Sequence, residues 1–327
     1  MKVLYYSKLE TEMYEILKQN LSDGISIEIL QDGFSDEINA NADKFDVVVG
    51  ARIPREFLDN AKNLKYFVIP FVGVPPQDLK NLEELQHLTV INSHFNARYT
   101  AEHAWALLLA STKNIVKIHP ILKNNDWTPR YEHDWSLGLA GKTLLLLGLG
   151  AIGKAIAEFA KAFRMKIIAI KRTAGNDENI DFIGTQEDLL KVLPDADFII
   201  SSLPGSKLTE NMLSDAEFAA MKEGVHIVNV GRGPVINEQA LFDAMKAGKI
   251  GGAAIDTWWN YPKTLEDRTN TCPTNLDFTQ FPNFIYSPHR ASHVFGREIE
   301  RMKDIADILN SIHAGSPKNI VNITRGY

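Results

Sequence analysis

The sequence predicts an α/β fold of two doubly wound domains, and three observations predict it. Short apolar runs alternate with helical patterns over most of the chain, the signature of crossover units on parallel sheets. Those runs fall into two series, separated by one long helical segment near residue 100. At 327 residues the chain is too long for a single ordinary core and suits two.

The first series places strands at 2–6, 26–30, 46–49, 66–69 and 89–91, with helices near 11–19 and 54–60. Residues 99–118 then read as one long helix. Its core, Thr100-Ala101-Glu102-His103-Ala104-Trp105-Ala106-Leu107-Leu108-Leu109-Ala110, is made of strong helix formers and is apolar nearly all round. Such a helix must be buried, within the chain or against a second subunit. A polar stretch at 123–136 leads to the second series, at 143–147, 166–170, 198–201, 226–230, 253–256 and 284–287. Six strands make a full dinucleotide-binding sheet. Residues 291–314 read as a last helix, stopped by Gly315 and Pro317. Packing of that helix on the first series makes the first domain discontinuous, 1–98 with 291–327, around an inserted domain 99–290.

Composition narrows the function classes. Hydrophobic residues at 45% and charged residues at 23% are globular values, and a formal charge of −6 offers no attraction to nucleic acid or an anionic membrane. The longest apolar segments, such as 143–149, are far too short to span a bilayer. A lone cysteine, Cys272, cannot form an internal disulfide, and the residues from Met1 to Tyr6 lack a secretory apolar core, so a reducing cytoplasm is expected. No His, Cys or Asp cluster has metal-ligand spacing. Small-molecule chemistry is what remains.

One loop says which. Gly148-Leu149-Gly150-Ala151-Ile152-Gly153 directly follows the buried strand 143–147 and opens a helix over 151–163. A glycine triplet alone is weak, but in this context Gly148 makes the tight turn and Gly150 lets a pyrophosphate approach. Gly153 lets helix and strand pack, while Ala151 and Ile152 begin the helix whose free N–H groups attract the anion. The rival reading is a purely structural strand-to-helix turn. The domain is therefore expected to be Rossmann-like and to bind NAD or NADP. After the next strand come Lys171, Arg172 and Thr173, where a site selective for NAD usually offers a carboxylate to the ribose. Two cations suit a 2′-phosphate instead, which predicts use of NADP at least as well as NAD; the competing reading is a solvated turn.

Seven separated motifs resemble those of the D-isomer-specific 2-hydroxyacid dehydrogenases, over nearly the whole chain. They are Thr100-Ala101-Glu102-His103, the loop 148–153, Leu203-Pro204, Asn229-Val230-Gly231-Arg232-Gly233, Ala254-Ile255-Asp256, Ser287-Pro288-His289, and Gly315-Ser316-Pro317-Lys318-Asn319. The resemblance implies an N-terminal substrate domain interrupted by a cofactor domain, a homodimer, and hydride transfer between NAD(P)H and a 2-oxo acid or D-2-hydroxy acid. It implies that Arg232 clamps the substrate carboxylate and carbonyl, a task suited to a planar fork of donors. It makes His289 the acid–base residue, with both protonation states accessible near neutrality. Asp256 would orient the nicotinamide, with Leu203, Pro204, Thr209, Val230 and Gly231 beside the cofactor. Val72 and Gly73 resemble the loop that holds the substrate carboxylate, with Arg52 as a neighbour; a structural turn is the rival there. His103, on a helix read as buried, is expected to be a satisfied core residue.

The pattern departs from the family at one position. In the hydroxyacid enzymes a glutamate five residues after the aspartate, just before a proline, pairs with the histidine and raises its pKa. In the run Asp256-Thr257-Trp258-Trp259-Asn260-Tyr261-Pro262 that place belongs to Tyr261. A phenol can orient the imidazole but adds no charge, so a lower histidine pKa is expected, unless Glu266 or Asp267 supplies the charge through the fold. Trp258 reads as core packing, and Trp259 as core or an apolar wall. Two other functions stay open: a dinucleotide-sensing binding protein of the corepressor kind, and a dehydrogenase of formate or phosphite.

Overall fold

The computed structural model describes residues 1–30, 36–133 and 135–323, so the end of the expected segment 291–327 lies outside the described residues. The chain forms two units, Met1–Asn96 with Val294–Tyr327, and Ala97–His293. The second is inserted into the first.

The first unit is built on a parallel sheet of β1 (Lys2–Tyr5), β2 (Ser26–Ile29), β3 (Val47–Val49), β4 (Tyr66–Ile69) and β5 (Thr89–Asn92), ordered β2-β1-β3-β4-β5. One face buries Phe45, Phe57, Leu64 and Phe67. The other buries Val3, Tyr5, Val47 and Val68 under Met302, Ile305, Ile308 and Leu309. Each such side chain contributes about 2 kcal/mol by leaving water. Those last residues come from the helix Arg297–His313, which starts at 297 rather than 291. The amide of Ala291 is already bonded to the Asp256 carboxylate, and Gly296 stands in the left-handed region at φ 75°. After Gly315, the tail adds an antiparallel contact to β5, with the Val321 amide donating to Val90 O at 2.8 Å.

The second unit is a parallel sheet of β6 (Thr143–Leu147), β7 (Lys166–Ile170), β8 (Phe182–Gly184), β9 (Phe198–Ser201), β10 (Val225–Asn229), β11 (Ile250–Ile255) and β12 (Phe284–Tyr286). Its order is β12-β11-β10-β9-β6-β7-β8. β8 adds a seventh strand; its three residues, Phe182-Ile183-Gly184, include an exposed phenylalanine and a glycine and so make no continuous apolar run in the sequence. The order reverses between β6 and β9, and sheets of this kind bind ligands outside the carboxyl ends of the strands at such a reversal.

The single helix expected over 99–118 is two helices, Ala97–Thr112 and Ile115–Lys123. Asn114 breaks it in a left-handed conformation at φ 55°, which asparagine tolerates better than most residues. The first helix buries Ala101, Ala104, Leu107 and Leu108 against the helix Ala151–Ala162 and against β10 and β11. The second buries none of its residues, so the burial expected for the whole segment fails for that half within the chain. No helix among the described residues is long and apolar enough to cross a membrane.

Candidate active site

The site of the second unit lies at the carboxyl edge of its sheet. Gly148 follows β6 at φ 99°, and a Cβ on Gly153 would come within 2.1 Å of the Gly148 carbonyl oxygen, so neither position accepts a side chain. This contact sets the helix Ala151–Ala162 tight against β6. The amides of Ala151, Ile152 and Gly153 have no carbonyl partner within that helix, because its first ladder bond runs from the Lys154 amide to Gly150 O. A Cβ on Gly150 would meet nothing within 4 Å, so the loop is open at that residue. Ser201, at the end of the adjacent β9, is fully buried with no partner for its Oγ among the described residues. Open donors, a loop open at Gly150 and an orphaned hydroxyl at the sheet reversal fit a dinucleotide pyrophosphate.

Beyond β7, the Lys171 amide is bonded to Gly184 O at 3.0 Å and its side chain is half-buried, while Arg172 and Thr173 are exposed. Beyond β9, Leu203 is buried and Pro204 half-buried. Thr209 does not offer its hydroxyl outward: it is buried, donates to Pro204 O at 2.6 Å and accepts from the Ser206 amide at 3.0 Å. Its place is to shape the 203–206 loop.

Arg232 sits in a turn that glycines bring close to two neighbours. A Cβ on Gly231 would lie 2.4 Å from Leu203 O, and one on Gly233 would lie 2.3 Å from Trp258 O. Val230 is buried, with its amide on Ser201 O at 3.0 Å. Asn229 closes the turn, donating to Arg232 O at 2.9 Å and accepting from the Gly231 amide at 3.1 Å. Arg232 itself is exposed, with one guanidinium N–H on Gly231 O at 2.7 Å.

His289 follows β12 in a left-handed conformation at φ 54°. Its Nδ1 is 2.8 Å from the Tyr261 hydroxyl, which also accepts from the Trp258 amide at 3.0 Å. The imidazole is held below the ordinary histidine range, first by desolvation and then by the Arg232 guanidinium, with Asp256 pulling the other way. His289 itself is exposed. Burial raises the Tyr261 phenol, which therefore stays neutral. Glu266 and Asp267 do not supply the missing charge: Asp267 accepts from the Thr264 amide at 3.0 Å, and Glu266 is held by local bonds around Thr264. The carboxylate acting on His289 is Asp256.

Asp256 is fully buried and takes bonds from Ser287 Oγ, from the Arg290 amide at 3.0 Å and from the Ala291 amide at 3.2 Å. His103 is not a core residue: its side chain is 31% exposed, with Nε2 2.8 Å from Ser287 Oγ. Ser287 was legible only as part of the Ser-Pro-His motif, which gives it no role by itself. Trp258 is buried in the core, with its indole N–H on Ser287 O at 2.8 Å, and Trp259 is partly buried against the same cluster.

The remaining candidates belong to the first unit. Arg52 follows β3 at φ 56°, where the buried Asp78 carboxylate accepts from its amide at 2.7 Å and from the Ile53 amide at 3.2 Å. Val72 and Gly73 follow β4, and Val72 O accepts from Asn92 Nδ2 at 2.6 Å. No group of His, Cys, Asp or Glu side chains among the described residues is arranged to hold a metal ion.

Residues 105–291 match the family model described as D-isomer specific 2-hydroxyacid dehydrogenase, NAD binding domain. A D-3-phosphoglycerate dehydrogenase of Archaeoglobus fulgidus is 29% identical over 99% of the chain, although the match spans only 59% of that relative's length. A glyoxylate reductase of Pyrococcus furiosus is 28% identical over 86% of the chain and 83% of its own. Among solved structures, a D-isomer specific 2-hydroxyacid dehydrogenase from Xanthobacter autotrophicus Py2, in complex with NADPH and MES, superposes with a TM-score of 0.80 at 21% identity, covering 100% of this chain and 99% of that one. With the matched segment exceeding half of the chain and lying inside the unit that carries the phosphate loop, the protein belongs to the D-isomer specific 2-hydroxyacid dehydrogenase family.

Proposed function

We propose that the protein is an NAD(P)-dependent oxidoreductase that interconverts a 2-oxo acid and a D-2-hydroxy acid. The observation that carries this reading is the pairing of Arg232 and His289 at the carboxyl edge of a dinucleotide-type sheet, close enough for the guanidinium to depress the histidine pKa. The bound nicotinamide coenzyme supplies or accepts the hydride. Arg232 binds the carboxylate of the oxo acid and draws charge onto its carbonyl oxygen. His289 gives that oxygen a proton in reduction and takes it back in oxidation. Tyr261 orients the ring: its hydroxyl can donate to a neutral Nδ1 or accept from a protonated one, whereas a carboxylate only accepts. In the first unit, Arg52 and the backbone at Val72 and Gly73 are the substrate-carboxylate segment of this reading.

Lys171 and Arg172 favour NADP, because cations gain more from a 2′-phosphate than from a neutral hydroxyl. Pairing of two copies through the helix Ile115–Lys123 is part of the same reading, supported by the exposure of Ile115, Val116 and Leu122. The test follows absorbance of NADPH and NADH with glyoxylate, hydroxypyruvate and phenylpyruvate. Turnover is expected, with NADPH at least as effective as NADH, and His289→Ala should lose it almost entirely. Activity that survives in that variant overturns the role of His289. Tyr261 keeps a second reading, a dinucleotide-binding sensor, which cofactor binding without turnover on any acid would favour.

A further inference from the structure

A second chain of hydrogen bonds, separate from the one through Tyr261, reaches the site. His103 Nε2 lies 2.8 Å from Ser287 Oγ and 3.6 Å from Asp256 Oδ1, and Ser287 Oγ is bonded to that same Oδ1. An ionised carboxylate only accepts, so Ser287 gives its single proton to Asp256. The serine oxygen is then left to accept, and His103 must carry its hydrogen on Nε2. The direction is fixed: His103 donates to Ser287, and Ser287 to Asp256.

At its far end this chain grips the turn that carries His289. Ser287 precedes His289, and the Arg290 and Ala291 amides that follow it also bond to Asp256, at 3.0 and 3.2 Å. The left-handed backbone of His289 is unfavourable for a residue with a Cβ and persists only where its surroundings hold it. Bonds on both sides of it converge on one fully buried carboxylate. That carboxylate also opposes the effect of Arg232 on the imidazole.

We propose that His103 is a positioning residue, which through Ser287 fixes the Asp256 carboxylate against the turn carrying His289. Its kinetic readout rests on the 2-oxo acid reading above; its spectroscopic readout does not. The experiment compares wild type, His103→Leu, His103→Gln and Ser287→Ala, each checked for a cooperative thermal transition. The His289 side-chain titration is followed by NMR, assigned with His289→Asn, beside kcat and KM for glyoxylate.

In His103→Leu and Ser287→Ala the His289 pKa should fall by about half a unit or more, as an opposite charge loses its fixed place. In both, kcat should drop about tenfold, since small misplacements of a reacting group are costly, while KM for glyoxylate changes less than about twofold. His103→Gln keeps an N–H donor near the position of Nε2 and should recover most of both effects. A folded His103→Leu protein with the wild-type titration overturns the proposal, as does a glutamine variant no better than leucine. If the wild type reduces no 2-oxo acid, the functional reading fails, and the titration still decides the place of His103.

Discussion

At position 261 a phenol stands where the family's hydroxyacid enzymes have a carboxylate, and the consequence is electrostatic. Tyr261 holds the His289 ring at 2.8 Å without charging its surroundings, so desolvation and Arg232 keep the imidazole pKa below its ordinary range. In the proposed reduction His289 gives its proton as imidazolium, so the rate should be fullest at acid pH and fall as pH rises through that lowered pKa. Tyr261→Glu puts a negative charge beside the ring and should move the falling limb of kcat/KM upward by about 1 pH unit. A limb that stays in place in a folded glutamate variant would show that Tyr261 does not govern the histidine. Arg232, Tyr261 and His289 were legible because local motifs announce them. His103 also stands in a motif, but its role was not legible, because helical periodicity reports only that a face is apolar and its partner Ser287 lies far along the chain.

Helix and strand meet at a buried histidine. His226 of β10 is 6% exposed, with Nδ1 2.7 Å from Ser111 Oγ on the helix Ala97–Thr112, and burial lowers its pKa to about 4. The folded state therefore keeps it neutral, while the unfolded chain takes up a proton below pH 6.5. Stability should be full above pH 6.5 and fall as pH drops toward 4, by about 3 kcal/mol from this group. Thermal melts of wild type and His226→Asn between pH 7 and 4.5 check it: the gap between the two should narrow with acid, and a constant gap counts against it. Every strand of the first sheet and all but β8 of the second are legible in the sequence, most of them as the continuous apolar runs of buried parallel strands and β2 as an alternating Ser-Ile-Glu-Ile. It ran two helices together at Asn114, because a single left-handed asparagine leaves no mark on hydrophobic periodicity.

On the scale of the whole molecule, the helix Ile115–Lys123 leaves Ile115 at 51% and Leu122 at 48% exposure, with Trp127 and Trp135 exposed nearby. If a second copy covers them, the double substitution Ile115→Glu with Leu122→Lys should halve the mass measured by light scattering in solution. An unchanged mass would reject that face as the interface. The two-unit architecture was legible in outline, because the second strand series interrupts a domain whose core is finished by residues 302–312. That interruption sets an order of events on the ribosome. The inserted unit is contiguous and can close as soon as His293 emerges, whereas the first sheet waits with one apolar face bare until the segment Arg297–His313 has been translated. Nascent chains arrested before residue 297 should therefore be the forms that chaperones hold and proteases attack, with cleavage confined to the earliest-made strands.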